Sequence, residues 1–330
     1  MSVAEGAFGT ELERAIRSQP EQLERLATVQ LHEQIETLKQ SHRIWLIGTG
    51  TSLHAAELGA LMIQQSGRTA TAVPSMMFVT HAPPVARQDA VIIISHNAGE
   101  ETAYAASAYM TAKDAGLPVI AMTRQDSAIP DALYTVPKER SHTYTVSYTA
   151  VLLLLARLAG AIGAESLTEE AIRRVPGAVS EAIDRPGIDE IAIPSRLLLL
   201  FGEGPAATTA REGALKVREA SRFLAEGYDV EYLLHGSAVP LGRDDHLVAL
   251  RPPDTNGLVD GVARAAEGER IRVTRLTEPS DLPPLLAQIP LTVRLQLLTL
   301  RFATQRRQNP DIVIERSWAD ETLWAIGAPG

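Results

Sequence analysis

The chain has 330 residues, 45% of them hydrophobic, with a formal net charge of −9 and no cysteine. That length is enough for two ordinary cores. The acidic balance argues against a nucleic-acid partner, whose footprint is a basic face. The lack of cysteine excludes disulfides, thiolate metal sites and a Cys nucleophile within these residues. The first twenty residues lack the basic and apolar blocks of a signal peptide. The longest apolar run, AVLLLLARLAGAIGA (150–164), is interrupted by Arg157 and is too short to span a bilayer. A soluble cytoplasmic protein with no membrane partner is the expectation.

Residues 10–40 carry Leu12, Ile16, Leu23, Leu26, Leu31, Ile35 and Leu38 at helical spacing, which predicts one or two amphipathic helices. RIWLIG (43–48) is a continuous apolar run, the mark of a strand buried on both faces. A glycine turn and a helix over about 52–65 follow. Strands are predicted at about 70–73, 90–95, 117–123 and 133–136. Helices are predicted at about 101–115 and 143–161. After a helix near 169–182 the pattern restarts with RLLLLFG (196–202) and a helix carrying GALKVRE. A strand at 246–251, a helix at 258–267, a strand at 270–277 and a helix from about 290 to 306 complete it. The tail from Asn309 reads as irregular.

The two halves superpose as text. Gly48 and Gly50 fall on Gly202 and Gly204, and GAL (59–61) falls on GAL (213–215). Alternating strands and helices imply an α/β fold of two doubly wound parallel-sheet domains in tandem behind a helical N-terminal segment. The expected division is a helical segment over 1–40, a first domain over 41–165 and a second over 190–330.

Two places carry chemistry. GTGTS (48–52) joins a buried strand to a helix. Its glycines let backbone approach a ligand, the helix start offers unpaired N–H groups, and Thr51 and Ser52 add hydroxyl donors. Such a turn suits a phosphate, although a plain Ser N-cap has the same spelling. Neither the third glycine of a dinucleotide fingerprint nor the Gly-Lys-Ser/Thr of a P-loop is present. SHNAGEET (95–102) is a second polar loop at a strand end, where ligands collect in this fold class. In the second half, Glu212, Lys216 and Glu219 are spaced i, i+4, i+7 and share a helical face, and His235 follows in a loop. That set can move a proton beside a carbonyl. It is also what an ordinary salt-bridged face and a loop histidine look like. The eight histidines show no ligand spacing, so no metal site and no cofactor are expected.

GTGTSLHAA (48–56), SHNAGEET (95–102), ERSHTYTVSYTA (139–150), EGALKVREAS (212–221) and AEGYDVEYLLHGSAVPL (225–241) together resemble the tandem sugar-isomerase (SIS, flavodoxin-like) family. The likeness is to the isomerase half of glucosamine-6-phosphate synthase and its deaminase relatives. It implies that Gly50, Thr51, Ser52, Ser95, Asn97 and Thr102 bind a substrate phosphate. It implies that Glu219 shuttles a proton between C1 and C2, that Lys216 positions hydroxyls, and that His235 opens the sugar ring. His96, Ser141, Thr143 and Glu212 are further substrate-binding candidates. In the family the histidine reaches into the partner subunit's site, which implies a homodimer. The synthase has a glutaminase with a Cys nucleophile and a tail lysine; these residues contain neither, so no glutaminase activity is expected. The resemblance then points to an isomerising deaminase of an amino-hexose 6-phosphate. The alternatives are a deglycase of fructosamine 6-phosphates, a plain aldose–ketose isomerase, and a non-catalytic phosphosugar sensor.

Overall fold

In a computed structural model, residues 10–81, 83–97, 103–253 and 256–326 are described. Helices α1 (Thr10–Leu26) and α2 (His32–Gln40) come first, as the apolar spacing requires. The first unit comprises β1 (Arg43–Gly48), α3 (Thr51–Gln64), β2 (Thr69–Pro74), α4 (Ser75–Thr80), β3 (Ala90–Ile94), α5 (Ala103–Asp114), β4 (Val119–Thr123), β5 (Leu133–Tyr134) and α6 (Val146–Ala161). Helix α7 (Glu169–Asp184) leads to the second. That unit holds β6 (Leu198–Gly202), α8 (Pro205–Ser221), β7 (Ala225–Asp229), and α9 (Val230–Tyr232) running into a π turn at Leu233–Ser237. It continues with β8 (His246–Arg251), α10 (Leu258–Gly268), β9 (Arg272–Thr277) and α11 (Pro284–Gln305). A 3-10 turn at Arg316–Ala319 and α12 (Glu321–Ala325) close the described chain.

Both sheets are wholly parallel, in the orders β2-β1-β3-β4-β5 and β7-β6-β8-β9. The central apolar runs are buried on both faces because helices cover both. Each order reverses direction beside its first strand, so the crevice lies at the carboxyl ends of β1 and β3, and of β6 and β8. The two units share several local features. Gly50 caps α3 at φ 53°, ψ −127°, and Gly204 caps α8 at φ 53°, ψ −126°, a conformation few residues other than glycine adopt. A Cβ on Gly59 would meet Leu155 at 2.6 Å and Leu46 at 2.9 Å; one on Gly213 would meet Leu295 at 2.5 Å and Leu200 at 3.1 Å. Thus α3 lies against β1 and α6 as α8 lies against β6 and α11. Arg43 pairs with buried Asp89 while donating to the Pro84 carbonyl, and Arg196 pairs with buried Asp245 while donating to the Pro240 carbonyl.

The units are not independent. Helix α1 packs on α6, α7 and α11. A buried amide network ties three of these: Gln19 donates to Gln296 at 2.9 Å and accepts from Thr149 at 2.6 Å. Buried amides need such partners. Residues 10–40 therefore belong to the core rather than to an appendage. Among the described residues, no helix is long and apolar enough to cross a membrane.

Several elements differ from their sequence reading. β7 was expected as part of a loop because AEGYD has no apolar alternation. It is an edge strand, paired only to β6, and edge strands tolerate polar residues and glycine. Helix α11 starts at Pro284, with Pro290 inside it rather than at its start. Helix α6 starts at Val146, later than expected, because the Glu139 carboxylate accepts from the Thr145 and Ser147 backbone N–H groups. The tail is anchored. The Pro310 carbonyl accepts from Thr143 at 2.6 Å and Ser141 at 3.4 Å, and the Asp311 carboxylate accepts from the Leu12 N–H.

The glycine contacts yield a graded expectation. Gly59→Ala meets movable leucine side chains and should cost about 1–3 kcal/mol, the usual overpacking range. Gly227→Ala would place its Cβ 2.4 Å from the Arg211 backbone nitrogen and should cost more, because backbone cannot step aside. Denaturant unfolding of both variants checks the order.

Candidate active site

The start of α3 and the middle of α8 face each other. Thr51 donates to the Glu212 carboxylate at 3.2 Å, and His54 Nδ1 lies 2.7 Å from its other oxygen. Lys216 Nζ stands 3.7 Å from Glu212 and donates to Glu219 at 2.5 Å. Beside them Arg211 grips Glu57 through two guanidinium nitrogens, at 3.0 and 2.7 Å. The helical face predicted for Glu212, Lys216 and Glu219 is thus real, and it points at the cradle of the first unit. It is not a solvated salt-bridge face: Glu212 and Lys216 are fully buried, and Glu219 is 22% exposed at its side chain.

Burial works on all three groups. It pushes the Glu212 carboxyl up, but the Lys216 ammonium and the His54 and Thr51 contacts outweigh it and hold Glu212 below the usual carboxylate range. Burial pushes Lys216 down, and Glu219 and Glu212 more than reverse this. For Glu219 burial wins: its carboxyl is raised, with Lys216 opposing the rise. Glu212 is therefore held as an anion and Lys216 as a cation, while Glu219 holds its proton more tightly than an ordinary carboxylate.

The cleft beside this cluster encloses about 370 Å³ of empty space, its open mouth included. Thr51, Ser52, His96, Tyr144, Ser147 and Tyr148 are among its walls. Gly50 supplies the turn at its rim. Ser95 and Asn97 are buried at the end of β3; Asn97 donates to the Tyr144 hydroxyl at 2.7 Å. His96 Nε2 accepts from the Glu139 N–H, which seats its ring near Tyr144. Thr102 lies outside the described residues. Ser141 and Thr143 do not join the cleft: they are fully buried and their hydroxyls hold the tail at Pro310. Glu212 touches cradle and ammonium rather than open cleft. His235 is exposed on the π turn, which presents Tyr232, Leu234 and Val239 to the surface as well.

Sequence reasoning missed His54, Glu139 and Tyr148. His54 sits one turn after Thr51, a spacing that shares its face. Glu139 lies in a quoted segment, but its capping role depends on the fold. Tyr148 is buried, lines the cleft, and its hydroxyl has no hydrogen-bond partner among the described residues. Burial, with Glu212 and Glu57 nearby, raises its phenol well above the ordinary value, so it is a neutral O–H donor.

Residues 37–159 match the SIS domain family. The match covers one SIS domain and leaves the second sheet outside it, so the expected tandem of SIS domains is not supported as such. The chain is 30% identical over 322 residues to the glutamine–fructose-6-phosphate aminotransferase (isomerizing) of Chlorobaculum tepidum, covering 85% of this chain and 51% of that protein. It is 28% identical over 305 residues to the enzyme of the same name from Pyrococcus horikoshii. The chain spans about half the length of these curated relatives. Its fold matches tagatose-6-phosphate ketose/aldose isomerase from Escherichia coli (TM-score 0.78, 19% identity, covering 96% of this chain and 100% of that one). It also matches glucosamine-6-phosphate deaminase from Thermotoga maritima (TM-score 0.74, 18% identity, 92% and 97% coverage).

Two outcomes follow from the buried charges. A carboxyl whose folded value is raised favours the protonated fold, so its stabilisation is present below the unfolded value and is lost as pH rises through the folded one. Glu219→Gln should therefore gain stability relative to wild type between about pH 4 and about pH 7, read by thermal unfolding at both. Lys216→Met strands the Glu212 anion and should cost about 3–5 kcal/mol at neutral pH, measured by denaturant unfolding.

Proposed function

We propose that the chain is a phosphosugar-processing enzyme in which Glu219 transfers a proton between adjacent carbons of a sugar anchored by its phosphate. The observation that carries this reading is the Lys216–Glu219 pair, with Lys216 buried and Glu219 partly exposed, on the helix face whose Glu212 accepts from Thr51 of the cradle. The phosphate occupies the first unit's cradle through Gly50, Thr51, Ser52, Ser95 and Asn97. We infer that the second unit is a diverged copy of the SIS fold. Where the first cradle has Thr51 and Ser52, the second has Pro205 and Ala206, which offer no hydroxyl. One copy grips phosphate and the other supplies the acid–base helix.

The substrate best matched is a 2-amino-2-deoxyhexose 6-phosphate. His235 opens the ring to the aldehyde. Glu219 takes the C2 proton, the C1 oxygen gains one, and an enol-amine forms. Glu219 then returns the proton to C1, leaving a C2 imine. Water hydrolyses the imine to a ketose 6-phosphate and ammonia. No protein amine is required, consistent with a tail, residues 309–330, that has no lysine. Fixing the phosphate makes the proton transfer a short, oriented step.

The resemblance implies that His235 acts in the site of a second copy, and its exposure beside the exposed Tyr232, Leu234 and Val239 supports that reading. The protein works as a homodimer.

Incubation with glucosamine 6-phosphate should release ammonia and fructose 6-phosphate, and Glu219→Gln should lower kcat by about 10²–10⁴-fold with little change in KM. Equal rates would remove Glu219 from this role. Release of a substituted amine from fructosamine 6-phosphates, without ammonia from glucosamine 6-phosphate, would instead support a deglycase. Mixing two inactive variants, Glu219→Gln and His235→Ala, should restore about a quarter of wild-type activity, since half the dimers then carry one intact site. No recovery after subunit exchange would place His235 outside the partner's site.

A further inference from the structure

Thr51 stands in two places at once. Its side chain lines the phosphate cleft, and its only proton is donated to Glu212. A hydroxyl has one proton to give. It cannot donate to a bound phosphate and to Glu212 together. Glu212 is fully buried and anionic, so losing a donor is costly and it must strengthen another contact. Two partners remain: His54 at 2.7 Å, already at full hydrogen-bond contact, and the Lys216 ammonium at 3.7 Å, which has room to approach. Lys216 is off-centre between its carboxylates, 2.5 Å from Glu219 on the other side. Movement toward Glu212 is movement away from Glu219.

Resting on the phosphate-cradle reading above, we propose that Thr51 is a ligand-operated trigger. Phosphate takes its hydrogen bond, Glu212 draws Lys216 inward, and Glu219 is released from its ion pair to accept the substrate proton. Glu212 and Thr51 are then positioning residues and Glu219 the catalytic one. No covalent bond changes in this step; one hydrogen bond is exchanged and one ammonium shifts. The charged and titratable groups around the relay are few. Glu219 feels Lys216, Glu212 and Arg218 of its own helix. Lys216 feels Glu139 from the segment before α6 as well. Glu212 faces His54 of α3 and lies near Tyr148 of α6. Of these only Lys216 bridges the two acids. Released from it, Glu219 holds a proton more tightly when the cradle is filled. The base is thus shielded in the empty enzyme and strengthened when substrate arrives.

The probe is a hexitol 6-phosphate, which carries the phosphate and has no carbonyl to react. Isothermal titration at about pH 6, in two buffers of different ionisation enthalpy, counts protons taken up per ligand bound. Phosphate ionisation contributes equally to wild type and Glu219→Gln, so their difference isolates Glu219. Wild type should take up roughly 0.2–0.5 proton more per site than Glu219→Gln. The excess should vanish in Thr51→Ala at saturating ligand, where Glu212 lacks the donor with or without phosphate, and return in Thr51→Ser. Equal uptake by wild type and Glu219→Gln, or an excess that persists in Thr51→Ala, overturns the trigger while leaving the phosphate site intact. Absence of hexitol phosphate binding by folded wild type overturns the cradle reading and the trigger with it. Circular dichroism on each variant excludes misfolding as the cause.

Discussion

The buried carboxylate of Glu212 is the constraint around which the two units are arranged. An anion with no solvent contact survives in a fold only where cations and donors surround it. Its partners come from both units: Lys216 from its own helix, Thr51 and His54 from α3. The crevice end of α3 is thereby fixed against the middle of α8. The neighbouring Arg211–Glu57 pair repeats the tie one turn along. The same Thr51 belongs to the cleft wall, so the charge that sets the packing also lies beside the cleft.

The two units share a frame but not its side chains. Identical glycine caps and identical close approaches at Gly59 and Gly213 put the two helices in equivalent frames. On that frame the positions of Glu212 and Lys216 correspond to Leu58 and Met62 of α3, and that of Glu219 to Gln65 just past its end. Leu58 and Met62 are buried in an ordinary apolar core. A geometry that packs leucine and methionine in one copy holds an ion pair in the other, and the hydroxyl-bearing turn survives only in the first.

Much of this was legible in the chain itself. Continuous apolar runs marked the central strands, and the glycine spacing marked both crevices, because burial on two faces and a tight turn leave few residue choices. That Glu212, Lys216 and Glu219 share a face was legible from i, i+4, i+7 spacing, which is a property of one helix. What that face meets was not. His54 was invisible because its partner lies 158 residues away, and nothing local distinguishes it from a surface histidine. Ser141 and Thr143 misled for the same reason. Their hydroxyls looked available for a ligand, and a carbonyl 167–169 residues on, at Pro310, uses both. β7 was missed because an edge strand need not alternate.

The tail connects these points. After α11 the chain leaves the second unit and returns to the first, where buried Ser141 and Thr143 receive Pro310 and the α1 backbone receives Asp311. Arg222, at the end of the acid–base helix, pairs with Glu315 and donates to the Ile312 carbonyl. Further along, the Tyr104 hydroxyl of α5 donates to the Ile326 carbonyl. The tail therefore touches the segment that caps α6, the end of α8 and the helix that follows the second polar loop. A chain end that ties them together resists relative movement of cradle and acid–base helix, and the short Thr51–Glu212–Lys216–Glu219 series depends on that distance being held.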